Sequence, residues 1–206
     1  MNTTAKFWNG IAARYAKKPI GDEAAYEKKL EITRQYFEPH MQLLELGCGT
    51  GSTALLHAPY VKHIRAVDIS SEMLAIAKQK AQQQGIENVS FEQASIDQFE
   101  TQQQFDMVLT LSVLHLMDDK DAVIKKIAQR LKSGGLFVSS TVCLGTSMRW
   151  LKLIWPLGRA LGLFPPTLKH FTPEQLTQSV IDAGFTIEHL WRPNDGRTAF
   201  IVARKE

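Results

Sequence analysis

The sequence predicts an α/β fold, with a doubly wound, mostly parallel sheet of seven strands that ends in an antiparallel hairpin. Short apolar runs alternate with helix-compatible segments, the pattern of parallel strands joined by right-handed crossovers. Glycines at 47, 49 and 51 follow the first of these runs, at a strand-to-helix turn. Near the C-terminus, Asn194-Asp195-Gly196 separates two further apolar runs, and so short a turn joins antiparallel strands.

The composition indicates one domain, residues 1–206, with a sizeable core. Hydrophobic residues make up 44% of the chain, and the formal net charge of +3 gives no support for a nucleic-acid partner. Cys48 and Cys143 form no disulfide framework and no metal pattern, and the first residues lack the apolar core of a signal peptide. We therefore expect a cytoplasmic protein without a metal site.

The N-terminal region, residues 1–38, is predicted to be helical. Phe7, Ile11 and Tyr15 share one helix face, Asp22 can cap a second segment, and Pro39 closes it. The region either packs on the domain as an ordinary helical layer or forms a lid that excludes water from the glycine loop.

The remaining elements follow in order. After the first strand, which ends at Leu46, residues 52–58 are predicted to be helical, and a helix between Ser70 and Gly85 has a cap residue at each end. Further strands are predicted at residues 63–68, 89–94, 105–111, 136–142, 185–191 and 198–203, and further helices at 119–131 and 173–183. The chain divides into a cofactor-binding core at 39–143, an apolar insert at 144–170, and a C-terminal helix and hairpin at 171–206.

Two acidic residues accompany the glycine loop. Asp68 ends the second strand, beside the loop in a doubly wound sheet, where a carboxylate can accept hydrogen bonds from a ribose diol or cap a helix. Glu45 lies inside the first strand, where a buried acid is costly without partners. It either accepts hydrogen bonds from loop N–H groups or faces the cationic end of a ligand.

The spacing of the glycines separates two classes of cofactor. The dinucleotide fingerprint G-x-G-x-x-G requires glycine at position 52, which is Ser52, whereas this chain has G-x-G-x-G. With Glu45 before the loop and a hairpin at the end, the chain resembles the class I S-adenosylmethionine-dependent methyltransferases of the small-molecule type. Their Rossmann-like motifs match in order at residues 43–51, 67–70, 105–108 and 131–136, and residues 7–15 resemble their lid helix.

The resemblance implies S-adenosyl-L-methionine as the cofactor and assigns its contacts. Gly47, Gly49 and Gly51 would pass under the methionine part, Asp68 would hold the ribose hydroxyls, and Ile69 would pack on the adenine.

Three further contacts follow from the same resemblance. Ser95-Ile96 stands where the family usually has an acid for the adenine amino group, so a hydroxyl or a backbone N–H is expected there. The end of the fourth strand, Thr110 and Leu111 with Ser112, would offer carbonyls to the ammonium group. Tyr15 would reach the cofactor carboxylate from the lid.

Methyl transfer is an in-line displacement in which alignment supplies much of the acceleration. His115 is the best-placed candidate base for an acceptor that must lose a proton, but its interpretation as a structural residue is favoured, because no partner acid can be named for it. The alternatives are an NAD(P)-dependent oxidoreductase, disfavoured by Ser52, and a cofactor-binding domain without catalysis.

The apolar insert at 148–164 contains Trp150 and Trp155, with three cations near one helical stripe. It is interpretable as a lid over the acceptor pocket, a homodimer face or a peripheral membrane contact. A lid would favour a small, partly hydrophobic acceptor.

Overall fold

The computed structural model describes residues 3–145, 158, 164–193 and 196–206. These residues form a seven-stranded sheet in the order β3-β2-β1-β4-β5-β7-β6. The strands are β1 (Gln42–Leu46), β2 (His63–Asp68), β3 (Val89–Gln93), β4 (Phe105–Leu111), β5 (Leu131–Val142), β6 (Phe185–Trp191) and β7 (Thr198–Lys205). Strands β1 to β5 pair in parallel, whereas β7 is antiparallel to both β5 and β6. The predicted fold class is confirmed.

Two helices, the second and the fourth, begin at the capping residues that the sequence indicates. The helices of the described residues are α1 (Thr3–Ala16), α2 (Glu23–Arg34), α3 (Ser52–His57), α4 (Ser71–Gln84), α5 (Lys120–Arg130) and α6 (Pro173–Asp182). The Asp22 side chain accepts a hydrogen bond from the Ala25 N–H at the start of α2, and the Ser70 hydroxyl accepts one from Met73 at the start of α4. Gly85 ends α4 at a φ of 65°.

The core is divided between the two faces of the sheet. Leu43 and Met107 pack beneath α2, α3 and α4, whereas Leu44 and Val108 pack beneath α5 and α6. Side chains alternate along a strand, so Glu45 lies on the same face as Leu43. An acidic side chain is thereby placed inside the layer covered by α2 and α3.

Two predicted boundaries were wrong. Helix α2 ends at Arg34 rather than near Phe37, because tight turns take over, with the Phe37 N–H donating to the Arg34 carbonyl. Strand β5 begins at Leu131 rather than at residue 136, because Leu131 already pairs with Phe105 across a register shift.

Most of the apolar insert, including nearly all of residues 148–164, lies outside the described residues. Its three interpretations therefore stay predictions. In the described part of the chain, no helix is long and apolar enough to cross a membrane.

Candidate functional site

A cleft opens where the strand order reverses between β1 and β4. The chain runs from β1 outward to β3 and then returns to place β4 on the other side of β1. The ladder between β1 and β4 stops at the pair Glu45 and Leu109, while β4 continues to Leu111. Parallel sheets of this kind bind ligands at such a reversal. The cleft has a volume of about 470 Å³ and is lined by the glycine loop, α2 and the ends of β4, β5 and β7.

The three loop glycines have different physical roles. All have positive φ, at 74° for Gly47, 54° for Gly49 and 74° for Gly51. A Cβ at Gly47 would lie 2.6 Å from Val113 Cγ2, and one at Gly51 would lie 2.8 Å from the Ala77 Cβ. A Cβ at Gly49 would have no atom of the described residues within 4 Å. The outer glycines therefore permit close packing, whereas Gly49 leaves space for a ligand against bare backbone.

Asp68 is held in place by the loop that it supports. Its Oδ2 accepts a hydrogen bond from the Gly49 N–H and its Oδ1 accepts one from the Ser70 N–H, both at 2.8 Å. Burial raises the pKa of the carboxyl, and these backbone N–H groups partly offset that rise. Each carboxylate oxygen keeps acceptor capacity for a diol.

Glu45 lies in the same cleft, and its Oε2 lacks the support that Asp68 has. Its side chain is 3% exposed, and no described residue donates a hydrogen bond to Oε2. Burial, together with the nearby Asp68 carboxylate, raises the pKa of Glu45 to about 8. A buried acceptor without a donor is expensive, so this atom indicates a place for a donor or cation from outside the chain.

The end of β4 forms the wall between the two carboxylates and β5. Leu111 and Ser112 line the cleft, and the Ser112 N–H donates to the Ser140 carbonyl at 2.6 Å. Ser112 has a φ of 61°, the only positive value at a non-glycine among the described residues. Such strained backbone is found at functional sites. The Thr110 side chain alternates to the opposite face, so only its backbone is available to the cleft.

Helix α1 is fastened to the Asp68 end of the cleft. The Ser70 hydroxyl donates to Asn9 Oδ1 at 2.6 Å, and Asn9 Nδ2 donates to the Ser71 hydroxyl at 3.2 Å. Tyr15 lines the rim and is 47% exposed, and partial burial and the Asp68 carboxylate raise the pKa of its phenol. Our sequence analysis missed Asn9. The one signal for it in the sequence is that asparagine, a polar residue with low helix propensity, stands inside a predicted helix.

The predicted adenine contacts lie beyond the residues that line the cleft. Ile69 is half-buried, and its carbonyl accepts a hydrogen bond from Gln93 Nε2 at 3.2 Å. The Ile96 side chain packs in the core beside Phe99, which leaves its backbone N–H and the Ser95 hydroxyl for a ligand. These assignments stay predictions.

His115 is separated from the glycine loop. It lies in a short 3₁₀ helix, Leu114–Leu116, and is not among the described residues that line the cleft. Burial lowers the pKa of its imidazole to about 4, and its carbonyl accepts a hydrogen bond from the Lys169 N–H at 2.8 Å. A base role for His115 stays a prediction.

Our sequence analysis also missed the polar residues where α2 meets α3. The hydroxyls of Tyr26 and Thr53 lie 3.1 Å apart, and His57, one turn after Thr53 on α3, is 1% exposed. All three line the cleft on the Glu45 side. Thr53 and His57 are four residues apart, the spacing of one helix face, and this is the signal that could have found them.

The chain matches proteins of one family. A family model described as a methyltransferase domain matches residues 37–176. A malonyl-[acyl-carrier protein] O-methyltransferase of Priestia megaterium is 29% identical over 179 residues, covering 84% of this chain and 64% of that protein. A ubiquinone biosynthesis O-methyltransferase of Paramagnetospirillum magneticum is 26% identical over 182 residues, covering 79% of this chain and 71% of that protein.

Solved structures show the same fold. The DhpI–SAH complex aligns with a TM-score of 0.76 at 19% identity, covering 98% of this chain and 95% of the other. The match to the Priestia protein spans less than two thirds of that protein's length, so its activity is not carried over with the likeness.

Proposed function

The chain belongs to the methyltransferase-domain family within the class I S-adenosylmethionine-dependent methyltransferases, and we propose that it transfers a methyl group from S-adenosylmethionine to a small, partly hydrophobic acceptor. The observation that carries the proposal is the open space at Gly49 between two buried carboxylates, one of which has an oxygen to which no described residue donates a hydrogen bond.

The residues of the cleft fit this cofactor. Gly47, Gly49 and Gly51 would support its methionine part, and Asp68 would accept hydrogen bonds from the ribose hydroxyls. Glu45 and the carbonyls from Thr110 to Ser112 would face its ammonium group. Ile69 and the Ser95-Ile96 backbone would contact the adenine, and Tyr15 would close over the cofactor from α1.

When bound, S-adenosylmethionine supplies a methyl group activated by a sulfonium. The chain contributes alignment, because Asp68 would fix the ribose, and the glycine loop with the end of β4 would fix the methionine part. Water is excluded by α1 and the connection to α2, whose residues 18–22 line the cleft. A base is needed only for an acceptor that loses its proton before or during transfer, and the lowered pKa of the His115 imidazole, about 4, makes this residue a weak candidate for that role.

An acceptor with apolar character suits the apolar part of the cleft lining. Leu30, Leu111 and Phe200 belong to that part, together with Ile20 and Pro193. The relatives named for malonyl-[acyl-carrier protein] and for ubiquinone biosynthesis are both named O-methyltransferases, which favours an oxygen atom as the methyl acceptor here.

Calorimetric titration tests the cofactor. We expect S-adenosylhomocysteine to bind and NAD⁺ not to bind. Asp68→Ala should weaken binding by about 1.5–3 kcal/mol, which is roughly 10- to 150-fold. Glu92→Gln is the control, because Glu92 pairs with Arg65 away from the cleft. Binding of NAD⁺ alone, or unchanged affinity in Asp68→Ala, would contradict the assignment.

A methyl-transfer screen over phenols, carboxylic acids, thiols, amines and lipid-like quinols tests the reaction itself. We expect product with at least one oxygen acceptor of apolar character. Cofactor binding without methyl transfer to any acceptor would favour the second alternative, a cofactor-binding domain without catalysis.

A further inference from the structure

Helix α1 packs on the protein through its small side chains. Ala5 and Ala12 are buried and lie on one helix face with Asn9, which hydrogen-bonds to Ser70 and Ser71 at the start of α4. The helix is therefore held against α4 by alanines and one amide group, and its large apolar side chains are left for other faces.

These large side chains form an apolar stripe, Trp8, Ile11 and Tyr15, beside the packed face. The three residues are three and four positions apart, so they lie on one side of the helix. Trp8 and Ile11 are half-buried, Tyr15 is 47% exposed, and the rings of Trp8 and Tyr15 meet edge to face with centroids 6.3 Å apart. None of the three belongs to the two core clusters formed by the described part of the chain. Packing in the core therefore does not explain the stripe.

The turn after α1 extends the apolar surface to the mouth of the cleft. The Lys18 N–H donates to the Tyr15 carbonyl at 3.1 Å, and Ile20 follows with 48% of its surface exposed. Tyr15 and Ile20 both line the cleft, so two large apolar side chains that are about half exposed stand at its entrance. An apolar surface of this kind at the mouth of a site is typical of a contact with another molecule.

The same stretch is basic. Residues 1–21 contain four basic residues and no acidic residue, whereas the whole chain has 24 basic and 21 acidic residues. The positive charge of the chain is therefore concentrated at this end. Three exposed cations, Arg14, Lys17 and Lys18, accompany Tyr15 and Ile20 in the sequence. An anionic partner is the one that complements them.

Helix α2, which follows, has neither property. Its large apolar residues Leu30 and Ile32 are buried, at 2% and 7% exposure. Its exposed face mixes signs, with Glu23 and Glu27 beside Lys28. The combination of exposed apolar side chains with unmixed positive charge thus distinguishes α1 and its turn from the neighbouring helix.

We propose that α1 and the turn after it, residues 7–21, dock on an anionic lipid bilayer. The apolar stripe and Ile20 would enter the interfacial layer, where tryptophan and tyrosine side chains are favoured, and the three exposed cations would bind lipid phosphates. One such signal gives weak membrane binding, whereas apolar insertion together with a basic patch gives stable binding. The mouth of the cleft would then face the bilayer, from which an apolar acceptor can enter. This last consequence alone rests on the proposed function.

Sedimentation with lipid vesicles tests the charged part of the surface. Vesicles of phosphatidylcholine with about one third phosphatidylglycerol should bind the chain at least ~30-fold more tightly than phosphatidylcholine alone, because each cation near an anionic surface is worth about fivefold. Raising the salt from about 0.1 M to about 1 M should weaken binding, since the Debye length falls from about 10 Å to about 3 Å. The double variant Arg14→Gln/Lys17→Gln should lose roughly 10- to 25-fold. The matched control is Lys62→Gln/Lys125→Gln, which removes two exposed cations of other elements and should bind like the natural chain.

Tryptophan fluorescence tests the apolar part and separates it from the apolar insert. Trp8 lies in the apolar stripe, whereas Trp150 and Trp155 lie in the insert, the other candidate for a membrane contact. With lipids brominated on their acyl chains, which quench tryptophans that enter the bilayer, Trp8→Phe should lose most of the quenching. Trp150→Phe/Trp155→Phe should retain it. Phenylalanine keeps the apolar surface, so vesicle binding by Trp8→Phe should change less than about threefold.

The outcomes decide between this surface and its rivals. Failure to bind anionic vesicles overturns the proposal, and a natural chain that then sediments as a dimer would show that a second copy covers the stripe. An equal loss of binding in the Lys62→Gln/Lys125→Gln control, or quenching that is lost with Trp150 and Trp155 instead of Trp8, also overturns it. Circular dichroism shows that each variant is folded. Calorimetry with S-adenosylhomocysteine in the absence of vesicles tests the proposed function separately, because the docking surface requires no cofactor.

Discussion

Each end of the cleft contains a buried carboxyl group, and the two groups differ in their hydrogen bonds. At the end proposed for the ribose, each oxygen of Asp68 accepts a backbone N–H at 2.8 Å, and the carboxylate fixes the glycine loop. At the end proposed for the amino-acid part of the cofactor, Glu45 Oε2 accepts no hydrogen bond from the described residues. The hydrogen bonds of Asp68 are therefore made within the fold, whereas Glu45 Oε2 is left for a donor from a ligand. Asp68 stabilises the folded protein, whereas the burial of Glu45 costs folding free energy.

The glycine loop joins the two ends, and its packing gives the largest expected effect. Gly51→Ala should lower the free energy of unfolding by about 2–5 kcal/mol, because the new Cβ meets Ala77 and the alanine must keep a positive φ. Gly49→Ala should lower it by only about 1–2 kcal/mol, because the positive φ is the only source of strain there. The same change should weaken ligand binding, because the new methyl group occupies the space above the loop. Thermal and denaturant unfolding measure both.

A double-mutant cycle checks the cause. Ala77→Gly removes the atom that the new Cβ of Gly51→Ala would meet at 2.8 Å, so the pair should be less destabilised than the sum of the single changes. Additive losses would show that strain in φ, and not the contact, limits this position.

Stability against pH gives the next largest effect and separates the two carboxylates directly. The pKa of Glu45 is about 8 in the folded chain, above its ordinary value of 4.5. Between these values the unfolded chain is ionised and the folded chain is protonated, so stability falls as pH rises, by up to ~1.4 kcal/mol per unit. Glu45→Gln should remove this slope, and its advantage over the natural chain should grow by about 2–4 kcal/mol from pH 5 to pH 8.

Denaturant unfolding without ligand at pH 5, 6, 7 and 8 measures this difference. Glu92→Gln is the control, because Glu92 is paired with Arg65 at 2.6 Å and its side chain is only partly buried. Parallel stability curves for the natural chain and Glu45→Gln would show that Glu45 is ionised throughout, which removes the contrast with Asp68.

The sequence was sufficient for the mostly parallel sheet and its C-terminal hairpin, because both depend on local signals. The strand-ending glycines and the Ser70 cap each specify the geometry of the few residues around them, and the position of Asp68 beside the loop follows from the parallel pairing of β1 and β2. The amino-acid end was less predictable. The meeting of Tyr26, Thr53 and Glu45 depends on how α2 crosses the sheet, and a single sequence gives spacing along an element but not the docking of one element on another.

The two boundaries that were wrong have different origins. Pro39 gives a clear stop, but the turns after Arg34 already end α2 through their own hydrogen bonds, which are local. Gly134 and Gly135 predict a loop before β5, yet the pairing of Leu131 with Phe105 extends the strand through them. Only in this second case does tertiary pairing override the local preference.

The attachment of α1 strengthens the ribose end, and a moderate effect is expected there. Asn9→Ala removes its hydrogen bonds to Ser70 and Ser71 and should cost about 1 kcal/mol, with faster amide exchange in α1. Affinity for 5′-methylthioadenosine, which has the nucleoside thioether without the amino-acid end, should fall a few-fold. Ser71→Ala, which removes only the 3.2 Å bond, should have a smaller effect. Unchanged exchange in Asn9→Ala would show that α1 is held by apolar packing alone.

The smallest effect is expected at His115, which lies at neither end of the cleft. Its pKa of about 4 makes the imidazole a weak base that does not titrate near neutral pH. His115→Gln should therefore leave ligand affinity unchanged, alter kcat less than about twofold, and preserve the pH profile of kcat/KM between pH 6 and pH 9. A large loss of kcat at constant KM would instead show that His115 accepts a proton during transfer. The site would then include, beside the two carboxylate ends of the cleft, a third part that faces the methyl acceptor.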